Sequence, residues 1–162
     1  MNYICGTVDF SANISDLNPL IEMWKSLAPL GRGYTYAHGG VALACERAPS
    51  FSATHFLPSG KSIAAVLGAP CEGLFAEDLL FVYETEGLSA LCSFAKGVCF
   101  ALCDQKQKLL VISAADEPVF FAQKEKKIIF ASKKEALSLI NQELPYSAVK
   151  ISPYGFALYS MT

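Results

Sequence analysis

The sequence predicts an α+β fold in which a meander of short strands leads into a helix lying on the sheet they form. Residues 97–137, GVCFALCDQKQKLLVISAADEPVFFAQKEKKIIFASKKEAL, alternate apolar runs of four or five residues with polar turns, and runs that short suit strands better than helices. The composition, 52% hydrophobic and 17% charged over 162 residues, supplies enough apolar side chains for one domain with a sizeable core.

The elements of that stretch follow in order. Residues 98–102 form an uninterrupted apolar run that suits a strand covered on both faces, and Asp104 ends it. After a polar turn at 106–108 comes a strand at 109–112, then Asp116 and Pro118 break the ladder ahead of a strand at 119–122. The polar tip at 123–127 closes a hairpin onto 128–131. Ser132 stands three residues before Glu135, the spacing of a capping box, so a helix is expected to begin there. Its apolar face is Ala136, Leu137, Ile140 and Leu144, and Pro145 stops it.

The first half reads more sparsely. Cys5 falls in an alternating strand. Asn18 and Pro19 mark a helix start by cap and first-turn preference, with Leu20, Trp24, Leu27 and Ala28 on one face. Residues 29–40 read as a Gly-rich loop, 41–45 as an apolar strand and 49–60 as a second loop. A strand at 62–67, a tight connection at 68–73 and a helical segment at 76–83 complete the middle.

Several function classes are excluded by composition and spacing. A net charge of −2 removes the electrostatic case for nucleic acid. Apolar stretches are broken by Gly, Pro or charge well before the roughly 20 residues of a membrane span, and no signal peptide is visible, so a cytoplasmic location is expected. The six cysteines, Cys5, Cys45, Cys71, Cys92, Cys99 and Cys103, contain no C-x-x-C pair and are accompanied by only two histidines, His38 and His55. They read as reduced, packed thiols, and neither metal nor cofactor is expected. Both histidines lie in loop-like surroundings and read as surface residues or locally bonded ones.

The motifs of residues 97–137 resemble the end of the glutamine amidotransferase domain at the front of asparagine synthetases. That family reads G-x-F-A-F-x-x-W-D, a basic turn, L-x-x-x-R-D-x-x-G-x-x-P-L-Y-Y, and a hairpin ending F-A-S-E-x-K-A-L. This chain has G-V-C-F-A-L-C-D at 97–104, E-P-V-F-F at 117–121 and F-A-S-K-K-E-A-L at 130–137. At the front, M-N-Y-I-C-G-T-V resembles the family opening M-C-G-I-x-G-I-V, and V-K-I-S-P-Y-G at 149–155 resembles its closing element. The resemblance implies two stacked antiparallel sheets between helical layers, a four-layer αββα sandwich of the N-terminal nucleophile hydrolase type. It spans nearly the whole chain, 1–162, as a single domain. No room remains for the nucleotide-binding synthetase domain that follows in the family, so that domain is expected on a separate chain or beyond the fragment boundary.

The resemblance also locates the expected chemistry and shows it depleted. The family hydrolyses glutamine with an N-terminal Cys whose own amino group serves as base. Asn2 takes that position, and a carboxamide is no nucleophile at neutral pH. Cys5 could substitute only after removal of residues 1–4. The Arg of the family's R-G-P-D loop grips the glutamine carboxylate; here Leu30 takes its place and Arg32 is displaced by two residues. The oxyanion pair N-G becomes Leu67-Gly68, and the Asp of S-D-T-E becomes Phe75. The R-D pair ahead of the Pro has become Ala114-Ala115-Asp116. Arg32 and Gly68 are therefore the remaining substrate-binding candidates.

Two functions are expected from this pattern. The first is a degenerate, inactive domain acting as a structural or interaction module, partnered by an asparagine-synthetase-like subunit or by a second copy. The second is an active glutaminase or ammonia donor using Cys5, with glutamine as its ligand.

Overall fold

A computed structural model of the protein describes residues 3–27, 33–46, 51–56, 61–68, 73–137 and 147–160. Its strands are β1 (Ile4–Asp9), β2 (Tyr34–His38), β3 (Val41–Cys45), β4 (Phe51–Phe56), β5 (Lys61–Leu67), β6 (Phe100–Asp104), β7 (Leu109–Ser113), β8 (Val119–Lys124), β9 (Lys127–Ala131), β10 (Ser147–Ile151) and β11 (Phe156–Ser160). The helices are α1 (Leu17–Leu27), α2 (Ala76–Glu86) and α3 (Leu88–Phe94), and a helical turn occupies 134–137.

Two antiparallel sheets result. Sheet A runs β10-β8-β9-β1-β3-β2 and sheet B runs β11-β7-β6-β5-β4. Three apolar layers bind the molecule together. Ile4, Val8, Leu43 and Phe130 of sheet A meet Ala64, Val66, Ala101 and Cys103 of sheet B between the sheets. On the outer face of sheet A, Leu20, Met23 and Leu27 of α1 pack on Cys5, Ala44 and Ile129, joined by Ala136 and Leu137. On the outer face of sheet B, Leu79, Leu80 and Leu91 cover Ile63, Phe100 and Leu102. The order of layers is αββα, as expected from the sequence.

Because both faces of β6 are covered, all five of its residues are buried, and its sequence shows an apolar run instead of an alternation. β1 shows how one strand serves two layers. Ile4 and Val8 belong to the inter-sheet core, whereas Cys5 belongs to the helix-facing one. Gly6 lies on the inter-sheet face, where a Cβ would come within 2.5 Å of the Phe130 ring and 2.8 Å of Leu43.

Several boundaries depart from the sequence reading, each for a physical reason. The stretch 29–40 contains β2, which forms a hairpin with β3 in which His38 faces Val41 across Gly39-Gly40. Gly39 takes φ +57, the conformation such two-residue turns demand. β2 is an edge strand with only Tyr36 buried, so it lacks an apolar pattern. β4 occupies half of the second expected loop and is the edge of sheet B. The unforeseen α3 is seven residues long and buries only Leu91. β6 begins and ends two residues later than expected, so Asp104 is its last residue and not its stop.

Helix starts also shift. α1 begins at Leu17 and its cap is Asp16, whose Oδ1 accepts the Asn18 N–H at 3.2 Å while Oδ2 accepts Lys127 Nζ at 3.1 Å. Asn18 and Pro19 are therefore inside the first turn. The Ser132 hydroxyl, expected to cap the helix after it, donates to the Ile4 carbonyl at 3.2 Å and accepts the Ile4 N–H at 3.1 Å. Ala28, Ile140, Leu144 and Pro145 lie outside the described residues.

Two substitutions test this packing. Gly6→Ala forces a methyl against an aromatic ring and should cost about 1–3 kcal/mol in urea unfolding. Asp16→Ala removes the cap and should cost about 1 kcal/mol by the same measurement.

Candidate functional site

The end of the sandwich where β1 begins gathers the motif-matched residues. Ile4 opens β1, Gly68 follows β5, Cys99 precedes β6 and Ser132 follows β9. Asn2 and Arg32 lie outside the described residues, as do Leu30 and Cys71.

Gly68 is held in place by its own backbone. Its N–H donates to the Cys99 carbonyl at 2.8 Å, which extends the β5–β6 ladder by one bond. Gly68 has no side chain because a neighbour fills that space. A Cβ there would stand 2.4 Å from Cys99 Sγ and 3.5 Å from Ile4 Cγ1. The preceding Leu67 is buried against the helices on the other face of sheet B. The Gly68 N–H is thus already bonded, and Leu67 is an apolar core residue.

Burial pushes the Cys99 thiol up to about 12, and the nearby Glu117 and Asp116 carboxylates add to the shift while a backbone hydrogen bond from Gly68 opposes it. A thiol so placed stays protonated at neutral pH, and the thiolate is the nucleophile.

Cys5, the other candidate, is fully buried on the opposite side of sheet A. It sits opposite Ala44 on β3 and Ala131 on β9, beneath α1. Burial raises its thiol well above the ordinary value, with a smaller push from Cys45. The residue before it is clasped on both backbone groups. Ile4 N–H and C=O meet the Ser132 hydroxyl, and the Ser132 N–H reaches the Ile4 carbonyl at 3.0 Å. Tyr3 continues along this edge under Lys133, whose Nζ lies 4.7 Å from the ring centroid.

Phe75 caps the way into α2 without a polar group. Its side chain is 47% exposed, and its N–H donates to Asp78 Oδ2 at 2.8 Å. The acid that matters locally is Asp78, three residues on, which supports the helix start and sits too late in the chain to match the family Asp. Ala114 and Ala115 are used as backbone anchors for the β10–β11 turn, through Ala114 N–H to the Gly155 carbonyl at 3.0 Å and Tyr154 N–H to the Ala115 carbonyl at 2.8 Å.

Of the expected site residues, the structure brings Gly68 to the start of β1 and places the Cys5 side chain away from it. Two participants were missed by sequence reasoning. Cys99 was read as a packed thiol, and its contact with Gly68, 31 residues earlier, has no local signature. Ser132 was read as a cap, although the same hydroxyl that suits a cap also suits a strand backbone. Cys45 and Cys103 sit in the inter-sheet core as read, with Cys92 half-buried on α3. Among the described residues, no group of three or more His, Cys, Asp or Glu side chains is placed to hold a metal ion, and no helix is long and apolar enough to cross a membrane.

Two antiparallel sheets stacked between helical layers make an α+β sandwich of the N-terminal nucleophile hydrolase type. Among solved structures, the glutamine phosphoribosylpyrophosphate amidotransferase from B. subtilis, complexed with ADP and GMP, is similar to this chain with a TM-score of 0.64 at 10% identity. The match covers 99% of this chain and 49% of that one, so the chain spans about half the length of that protein. No family model matches the sequence, and no curated protein does.

The buried thiols make two measurable statements. With iodoacetamide at pH 8, Cys92 should be alkylated in the native protein well before Cys5 and Cys103, as peptide mass mapping would read. Stability should also fall in alkali. The folded thiol of Cys99 is raised from an ordinary 9.0, so its contribution is complete below about pH 9 and is lost as the pH rises toward about 12. Each such thiol should remove about 1.4 kcal/mol per pH unit in that window, measured by denaturant unfolding at pH 8, 9 and 10.

Proposed function

We propose that this chain is a degenerate glutamine amidotransferase-like domain that no longer hydrolyses glutamine and acts as a structural or interaction module beside an asparagine-synthetase-like subunit. The observation that carries this reading is the engagement of Gly68. The backbone N–H that would meet an oxyanion is spent on the Cys99 carbonyl at 2.8 Å, and the Cys99 thiol fills the space beside it. The sequence adds Asn2 at the nucleophile position, Leu67 at the amide position and Phe75 at the acid position. Each change removes a separate requirement of the chemistry, and losing one oxyanion donor alone costs on the order of a hundredfold in rate.

The Cys5-Gly6 pair favours a second reading, in which removal of residues 1–4 frees a Cys-Gly start. Physical cost stands against it. Cleavage there removes Ile4, whose side chain is fully buried between the sheets and whose backbone holds Ser132. Losing a side chain of that size from a core costs about 2–5 kcal/mol. The freed amine would also adjoin a thiol that points under α1 and away from Gly68.

The deciding experiment is the intact mass of the protein after incubation with an electrophilic glutamine analogue, run beside an assay of ammonia release. The expected result is a full-length, unlabelled mass with no ammonia. A labelled species lacking residues 1–4, together with ammonia, would establish Cys5 as the nucleophile and end the inactive reading.

A further inference from the structure

Sheet B ends in β11, which among the described residues pairs with β7 on one side and with no strand on the other. The direction of its backbone groups follows from one hydrogen bond. The Gly155 carbonyl accepts the Ala114 N–H at 3.0 Å and so points at β7, while the Phe156 N–H of the same peptide plane points away. Alternation then turns the N–H and C=O of Phe156, Leu158 and Ser160 outward, and those of Ala157 and Tyr159 toward β7.

The strand is anchored on both faces. Phe156 packs in the helix-facing core with its ring edge-on to Phe100 at 6.5 Å. Ala157 and Tyr159 face the inter-sheet core, where Tyr159 stacks on Phe10 at 6.3 Å. Leu158 lies on the Phe156 side and is 57% exposed. An edge held in this way can accept another strand without first being ordered.

Native edges are guarded against such pairing by charge, Pro or a bulge. β11, FALYS, has none of these, since it carries no charged residue and no Pro, and its register against β7 is unbroken from Phe156 to Ser160. The edge strand before it, β10, by contrast carries the exposed Lys150.

The sequence of β11 is also its own complement. A two-fold axis at Leu158 sets two copies antiparallel, with Leu158 opposite Leu158, Phe156 opposite Ser160 and Ala157 opposite Tyr159. In that register Leu158 exchanges both backbone hydrogen bonds with its counterpart and Phe156 does the same with Ser160, so every outward donor and acceptor of the strand is used. A shifted register would leave some of them unpaired. On the axis an exposed leucine meets its own copy, and away from it a large side chain faces a small one, with no like charges opposed.

We propose that β11 is a self-association edge that joins two copies of this chain through an antiparallel β11–β11 pair, making one continuous sheet from two sheets B. The contact is isologous and closes on itself, so association stops at a dimer. A five-residue edge is a small interface, and the dimer accordingly forms only as concentration rises. This pairing is independent of whether the chain hydrolyses glutamine.

Sedimentation velocity over a hundredfold range of concentration, combined with amide hydrogen exchange, tests the pairing. A monomer should give way to a dimer, and the Leu158 amide should exchange at least tenfold more slowly in the dimer, whereas the Ala157 and Tyr159 amides are slow in both states. Leu158→Lys sets like charges face to face on the axis and should leave a monomer across the range. Should that variant not fold, Ser160→Pro removes an outward donor without touching the bonds to β7 and should weaken dimerisation at least tenfold. A monomer at every concentration would overturn the proposal. So would an undiminished dimer in either folded variant, or a dimer whose Leu158 amide exchanges as fast as the monomer's.

Discussion

Everything in this molecule depends on β1 being bonded along its whole length. It is an interior strand of sheet A, paired from Ile4 to Val8 with β3 and from Cys5 to Asp9 with β9. Its alternate faces join two different cores, and Gly6 lets the Phe130 ring cross its surface. At its first residue the ladder bonds give way to the Ser132 hydroxyl, which closes both polar groups of Ile4. A buried backbone left without such partners would be costly, so this clasp allows the strand to begin abruptly at the sandwich end.

The fold and the chemistry of a site make separable demands on a sequence. Apolar positions of β6, β7 and β9 are buried nearly throughout, which keeps the sheets packed. In the segments that resemble the family's motifs, several groups are engaged in structural bonds. Gly68 extends a ladder, Asp78 supports a helix start and Ala114 and Ala115 anchor a turn. A fold of this kind can host binding or scaffolding as well as catalysis.

Much of this was legible in residues and the rest was not, for identifiable reasons. The strands from Phe100 to Ala131 are covered on both faces or nearly so, and such strands write themselves as apolar runs. β2 is an edge strand that buries only Tyr36, so hydropathy is silent about it, and the Gly39-Gly40 pair was its remaining signal. The cap of α1 was misplaced because Asp16, Asn18 and Pro19 all suit a helix start, and the tie to Lys127, 111 residues away, selects Asp16. The departures from the family motifs at Asn2, Leu67 and Phe75 were legible in the residues alone. The contact of Cys99 with Gly68 was not, because it depends on two strands meeting, and neither was the Tyr83–Asp104 bond between α2 and β6.

Amide hydrogen exchange at Ile4 tests the central claim most directly. If β1 is clasped from its first residue, the Ile4 amide should exchange only when the whole domain opens, within about tenfold of the slowest β1 amides. Exchange at Ile4 orders of magnitude faster than at Val8 would show a strand that frays at its start, and would contradict a start of β1 fixed as structure.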